Sequence, residues 1–557
     1  MSGCLQLKKS NCKNCYKCIR SCPVKSIRFS DDQAHIIEDE CILCGRCFVN
    51  CPQNAKEIRS DVHVAKRLIA EGTPVYVSVA PSYIANYPGV HMDMMEAALQ
   101  KLGFAAAEET AIGAQIVKRE YEKMVAGRQQ KVIISSCCHS VNTLIQKQYP
   151  VALKYLAHIQ SPMLAHCQKL KEDHPGCYTV FVGPCISKKD EADKYAGIVD
   201  CVLTFEELSL WMDEEHVTFE ETPDSRERGR SRLFPVTGGI LRSMDKEKDF
   251  AYMAIDGVEE CMAALEDIEN GKIEDCFIEM SACRGSCIGG PAMGSGKYYH
   301  VQEYMEVNRF AGKTDFSVQD AASEKLAKAM PFEGKAQPRP GSAAIEEILR
   351  KMGKNSPEQE LNCGSCGYNT CREKAAAVLS GKADLSMCLP YLKDKAESFS
   401  DKIISNTPNG IFVLNEQLEI QQMNTAAQKI LNVKNQRDVA GESIMKLLDP
   451  TDYLLAMNEP KRREEVRKYL EQYDKYVDET ILYDKEYNIV MSIMKDVTEE
   501  ERIRMSKEDH SKKVVEITDK VVEKQMRVVQ EIASLLGETT AETKIALTKL
   551  KETLADE

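Results

Sequence analysis

A run of Cys12, Cys15, Cys18 and Cys22, closed by Pro23, is repeated at Cys41, Cys44, Cys47 and Cys51, closed by Pro52. Spacings of two, two and three residues wrap thiolates around an inorganic iron–sulfur core, and in a doubled run the fourth cysteine of each set crosses to the other core. By that rule one [4Fe–4S] cluster takes Cys12, Cys15, Cys18 and Cys51, and a second takes Cys41, Cys44, Cys47 and Cys22. Zinc competes for any cysteine quartet, but the doubled run with its two prolines favours iron–sulfur. Cys363, Cys366 and Cys371 lie in the loop CGSCGYNTC, with Cys388 downstream. Glycines there let backbone amides approach cluster sulfurs, so a third [4Fe–4S] cluster is expected. That spacing is less diagnostic, and zinc stays open as the alternative.

Three further stretches join thiols to other reactive groups: Ser135-Ser136-Cys137-Cys138, Gly183-Pro184-Cys185-Ile186-Ser187-Lys188-Lys189, and Ser281-Ala282-Cys283-Arg284-Gly285-Ser286-Cys287. Each is weak alone. The elements that must position them are legible: from Pro74 to about Gly312, runs such as VYVSVA, KVIISS, YTVFVG and DCFIEMSA alternate with helical stretches. That alternation predicts α/β architecture. The cysteines follow three of those strands, where an open α/β sheet presents its site. The remaining cysteines, Cys4, Cys167, Cys177, Cys201, Cys261 and Cys276, have no ligand spacing and read as packing residues.

The modules follow in order: a two-cluster ferredoxin-like domain at 1–60, the α/β domain at 61–332, a polar linker at 333–344 and a single-cluster domain at 345–392. A segment at 396–497 then contains NTPNGIFVLNEQLEIQQMNTAAQKILNV, which resembles the opening of a PAS sensor domain. The last segment, 498–557, is charged and helical, with Val514, Ile517, Val521, Val528, Ile532 and Leu535 at spacings of three, four or seven. It reads as a coiled coil that pairs two copies; a single surface helix is the alternative, given Gln525 in the seam. The fold class is thus multidomain α/β and α+β.

A formal charge of −13 disfavours nucleic acid and anionic lipid. No run of about 18 apolar residues is present. Ligand thiolates need reducing surroundings, so an anaerobic cytoplasm is expected.

Taken together, and in this order behind a two-cluster module, the three cysteine stretches resemble the signatures of [FeFe]-hydrogenases. Ala80-Pro81-Ser82 and Thr237-Gly238-Gly239 add to the match, which covers residues 1 to about 312. The resemblance implies an H-cluster. Cys138, Cys185, Cys283 and Cys287 would hold a [4Fe–4S] subcluster, and Cys287 would bridge to a diiron unit with CO, cyanide and azadithiolate ligands. Pro81, Ser82, Met163, Gly183, Lys188 and Ser281 fall at positions around that unit. Lys188 and Ser82 would donate to cyanide, since an ammonium stabilises an anionic acceptor in an apolar pocket. Cys137 would pass protons to the bridgehead amine, the alternative being an inert buried thiol.

The sequence also departs from that family. Ala157 stands where productive members carry a relay serine, and Tyr121 and Met124 align with two relay glutamates, with Glu120 and Glu122 close by. Gly183 and Ser281 replace methionines, Met163 a glutamine, and His139-Ser140-Val141 a Pro-x-Trp. These changes imply a pocket that binds hydrogen but turns it over slowly. His139 is a new titratable group that serves as a hydrogen-bonding residue or a substitute proton carrier. The expected function is therefore H2 or redox sensing at an H-cluster. Electrons would pass to a ferredoxin-like partner and the signal to a kinase, phosphatase or regulator. An ordinary catalytic hydrogenase and an iron–sulfur scaffold are the alternatives.

Overall fold

The computed structural model describes residues 3–8, 11–128, 130–294, 301–319, 321–335, 340–458, 463–536 and 540–553. It divides into two units, Met1–Leu392 and Lys393–Glu557. The expected linker at 333–344 lies partly outside the described residues.

The two N-terminal cysteine runs fold as two copies of one motif. Each carries its third cysteine in a short helix, Lys17–Ser21 or Arg46–Val49. Left-handed backbone recurs at matching places: Asn14 and Leu43, Tyr16 and Gly45, Lys25 and Asn54. Antiparallel pairs Leu5–Leu7 with Lys56–Ile58, and Ile27–Ser30 with Gln33–Ile36, close the module. Little apolar side chain is available here, so the core is Ile19, Ile27 and Phe29 packed among cysteines.

The α/β region holds two parallel sheets. One orders its strands Ala106–Glu109, Val75–Val79, Tyr178–Gly183, Cys201–Thr204. The other orders Ala251–Asp256, Cys276–Ser281, Val132–Ile134. Central strands such as Cys276–Ser281 are buried at every residue, which is why they read as unbroken apolar runs. Helices cover both sheets, as parallel crossovers require.

The ferredoxin-like module docks on this region through Gly45, whose φ of +74° suits glycine. A Cβ there would meet Pro291 at 2.5 Å. The single-cluster domain pairs helices Ser342–Lys351 and Cys371–Leu379 over Ile348, Leu349 and Ala375.

In the second unit a five-stranded antiparallel sheet runs Ile420–Met423, Gly410–Leu414, Ile489–Asp496, Lys475–Asp484, Arg463–Leu470. Asn424 caps the helix Thr425–Ile430 by accepting from the Ala427 amide. Helix Thr498–Leu536 follows the sheet. Val514, Ile517, Val521, Val528 and Ile532 lie exposed along it; the side chain of Leu535 is outside the described set.

Candidate metal centre

The cysteines gather into four cages. Cys12, Cys15, Cys18 and Cys51 line one small cavity; Cys22, Cys41, Cys44 and Cys47 line a second; Cys363, Cys366, Cys371 and Cys388 line a third. Matching amides point at the crossing thiols: Ser26 N–H lies 3.4 Å from Cys22 Sγ and Ala55 N–H 3.2 Å from Cys51 Sγ. Burial pushes the Cys41 thiol up to about 11 and Cys44 to about 12. Thiolates held this way need a cation core to take up their charge, so the donor sets fit iron–sulfur ligation.

The fourth cage is larger, a cavity of about 120 Å³ containing Cys138, Cys185, Cys283 and Cys287. It sits at the C-terminal ends of four parallel strands. Ala80–Ser82 follow Val75–Val79, Cys137 and Cys138 follow Val132–Ile134, Pro184 and Cys185 follow Tyr178–Gly183, and Cys283 follows Cys276–Ser281. Burial, then repulsion from Cys185 and Cys138, raises the Cys283 thiol far above its usual range.

Beyond the thiols, Pro81, Ser82, Met163, Lys188 and Ser281 also line this cavity, as does Cys137. The Ser82 hydroxyl is buried with no hydrogen-bond partner. Such an orphan donor at the wall fits an acceptor ligand of the kind a cyanide offers. Burial opposes the charge on Lys188, yet Glu191 outweighs it and holds the ammonium above its normal range. Lys188 Nζ donates to Glu191 Oε2 at 2.5 Å and to the Cys137 carbonyl at 3.2 Å. Gly183 is not part of the lining: the ring of Phe181 packs against it, leaving no room for a Cβ, and Phe181 forms that wall.

Tyr121, on helix Ala111–Gly127, reaches Cys137 from behind the cavity wall. Its phenol oxygen is 3.2 Å from Cys137 Sγ and 3.1 Å from Ser136 Oγ, and it accepts the Ser136 amide at 2.9 Å. Ser136 Oγ donates to the Ile159 carbonyl, so the phenol proton is directed to Cys137 or Ser136 Oγ. Burial raises Cys137 to about 12, the Tyr121 hydrogen bond opposing. Ala157 is fully buried beside Ile133 and Tyr121. Glu120 bonds Lys123 at 2.6 Å, and Glu122 accepts the Asp245 amide at 2.7 Å. Met124 packs in the apolar cluster around Tyr121.

His139 lines the cavity, with Nε2 2.8 Å from Asp190 Oδ2; burial lowers its pKa against that carboxylate. Cys4, Cys167, Cys177, Cys201, Cys261 and Cys276 are all buried. Two carboxylates escaped the sequence reading. Glu191, fully buried, takes Lys188, Lys328 and Ser161 Oγ. Glu279 lines the cavity and is raised to about 7 by burial, although the Gly238 and Leu241 amides donate to it. Its signal was a lone acid inside the apolar strand CFIEMS.

Residues 73–291 match the family model for the iron only hydrogenase large subunit, C-terminal domain. Residues 11–55 match a 4Fe-4S dicluster domain, 359–390 a putative Fe-S cluster, and 399–518 the PAS fold. The periplasmic [Fe] hydrogenase large subunit of Nitratidesulfovibrio vulgaris is 27% identical over 365 residues, covering 51% of this chain and 85% of that one. Iron hydrogenase 1 of Clostridium pasteurianum is 25% identical over 293 residues; this match covers 41% of the chain and 51% of that protein. An apo [FeFe]-hydrogenase variant from Chlamydomonas reinhardtii shares 15% identity at a TM-score of 0.40, covering 50% of this chain and 100% of that one. Among the described residues no helix is long and apolar enough to cross a membrane.

Proposed function

Because residues 73–291 form an iron-only hydrogenase large-subunit domain in a chain that also carries a PAS domain, we propose that this protein is a sensory [FeFe]-hydrogenase of low turnover. Cys138, Cys185, Cys283 and Cys287 would hold the four-iron part of its H-cluster, and Cys287 would also bind the diiron part. When bound, that group supplies reversible cleavage of H2 into two protons and two electrons. Lys188 and Ser82 would hold its anionic ligands by hydrogen bonds, with Glu191 fixing the Lys188 ammonium. Apolar Pro81, Met163 and Phe181 keep water from the pocket.

The observation that carries the slow-turnover reading is the Tyr121 phenol on the Cys137 thiol. Burial holds the phenol far above its usual range, so Tyr121 does not cycle between charge states as a relay carboxylate does. Ala157 offers no hydroxyl further out. A sensor needs occupancy of its site more than flux, and binding there must shift an equilibrium elsewhere. The three smaller cysteine cages would carry electrons to and from a ferredoxin-like partner. The PAS domain and the helix Thr498–Leu536, paired between two copies, would present the signal to a kinase, phosphatase or regulator. Cluster-ligating thiolates must stay reduced, which suits a reducing cytoplasm.

Infrared spectra of the anaerobically matured protein under argon and then hydrogen test this reading. Metal-bound CO and cyanide bands that move with hydrogen, together with slow turnover, are expected. Rapid turnover would return the chain to the ordinary hydrogenases, and absence of the bands after competent maturation would leave an iron–sulfur redox or scaffold protein.

A further inference from the structure

Lys25 occupies a left-handed backbone position, φ 50°, three residues after Cys22. The matching position of the second cysteine run is Asn54, φ 48°, a residue type that tolerates this conformation. A lysine gains nothing from such backbone, so its side chain must repay the strain. That side chain is fully engaged: Nζ donates to the carbonyls of Ile19 at 3.2 Å, Arg20 at 3.3 Å and Gly367 at 3.1 Å. Two of those carbonyls belong to the helix between Cys18 and Cys22, and the third lies one residue after Cys366.

The same contact is built from both sides. Arg20 donates to the carbonyls of Gly364 and Ser365 at 3.2 and 3.3 Å. Gly367, φ +92°, lies so close to Ile19 that a Cβ would sit 3.0 Å from it. Tyr368 is buried beneath Lys25, whose Nζ is 5.8 Å from the ring centre, and Cys22 and Cys366 share one packed cluster with Ile19 and Tyr368. Burial lowers the pKa of the Lys25 ammonium, and the neighbouring Cys22 and Cys366 thiols are among the groups that oppose that shift. Cys22 belongs to the cage that includes Cys44, next to Gly45, which docks on the hydrogenase domain.

We propose that Lys25 is a shared positive charge coupling two cluster sites, making the cage of Cys363, Cys366, Cys371 and Cys388 an electron branch of the Cys22 cage. This rests on the iron–sulfur reading of both cages and deepens it by assigning their order. The step served is transfer of one electron: one cage is oxidised by one, the other reduced by one, with no bond made and no proton moved. Lys25 favours the reduced, more negative state of both, and its three carbonyl bonds fix their separation. Cys388 directly precedes the helix Leu389–Asn406, so the branch ends at the chain segment leading to the PAS domain.

The test is an electron paramagnetic resonance redox titration of the full chain with reconstituted [4Fe–4S] clusters, reduced chemically so that neither hydrogen nor the diiron unit is needed. In the unmodified protein the reduced Cys22-cage and Cys366-cage signals should broaden each other, and Cys366→Ser should remove that broadening. Lys25→Met at unchanged iron content should lower both midpoint potentials, a tenfold shift in each reduction equilibrium being ~59 mV for one electron, and Lys25→Arg should restore them. Independent signals in the unmodified protein, broadening of the third signal by the Cys12 cage alone, or unshifted potentials in Lys25→Met overturn the proposal. Should Lys25→Met lose iron, the unmodified spectra decide. Failure of the hydrogen-sensing reading would show only in the infrared experiment and leaves this result standing.

Discussion

The Tyr121 hydroxyl lies 3.2 Å from Cys137 Sγ, joining a buried phenol to the thiol at the cavity wall. On the proposed reading, this contact is where proton movement would be slowed. Replacing Tyr121 by glutamate together with Ala157→Ser should raise hydrogen–deuterium exchange by ~10²-fold, the scale of a positioned acid–base group. Cys137→Ala should leave the infrared bands in place and lower exchange further. If both variants exchange at the unmodified rate, Cys137 is a packing thiol.

Lys188 and Glu191 form a second coupled pair. Glu191 sits between Lys188 and Lys328 and is held far below the usual carboxylate range by their charges, against burial. Removing the ammonium at Lys188→Met leaves the Ser82 hydroxyl as the remaining donor from this pair of wall residues. The variant should keep the [4Fe–4S] signal and lose the CO and cyanide bands or shift them. Cys287→Ala should lose them completely. Bands at unchanged frequency in Lys188→Met would detach Lys188 from the diiron unit.

Arg232 is buried at 2% exposure and grips the buried Glu109 through Nε at 2.7 Å and a second nitrogen, with the Phe310 ring 4.3 Å from its guanidinium carbon. Glu109→Gln strands a buried guanidinium. Breaking such a pair costs ~3–5 kcal/mol, so the urea midpoint should fall by that equivalent at unchanged slope. A change under ~1 kcal/mol would mean that water or the Glu227 and Phe310 carbonyls solvate Arg232 well enough alone.

The three smaller thiol cages were legible because most of their ligand spacing is local, as in Cys12, Cys15 and Cys18, whereas the set Cys138, Cys185, Cys283 and Cys287 was read from the resemblance. The strand–helix alternation was legible because buried parallel strands are continuously apolar. Glu191 was not, because nothing local tells its carboxylate from a solvated one, whereas Glu279 left only the signal of a lone acid in an apolar strand. Glu191 lies in the charged run SKKDEADK, yet its face of helix Ser187–Lys194 is turned inward. Phe181 replaced Gly183 at the wall for a similar reason: which of two residues in a buried strand faces a cavity depends on the sheet's packing, not on its alternation. Sequence also set Glu120 and Glu122 beside the relay position, and only their bonds to Lys123 and Asp245 separate them from Tyr121.

Helix Thr498–Leu536 exposes Val514 at 51%, Ile517 at 62% and Val521 at 55%. Apolar residues at these spacings bury only against another helix, and a second copy supplies an identical seam. The protein should therefore sediment as a dimer, with exchange between copies slowed by the length of the seam. Val521→Asp with Val528→Asp places charges at two seam positions and should yield monomers without changing iron content or the infrared bands, since both residues lie outside the unit Met1–Leu392. Thermal unfolding of the first unit should stay where it was. A monomer in the unmodified protein would instead make this stripe the docking face for the signalling partner, because a single helix leaves it uncovered.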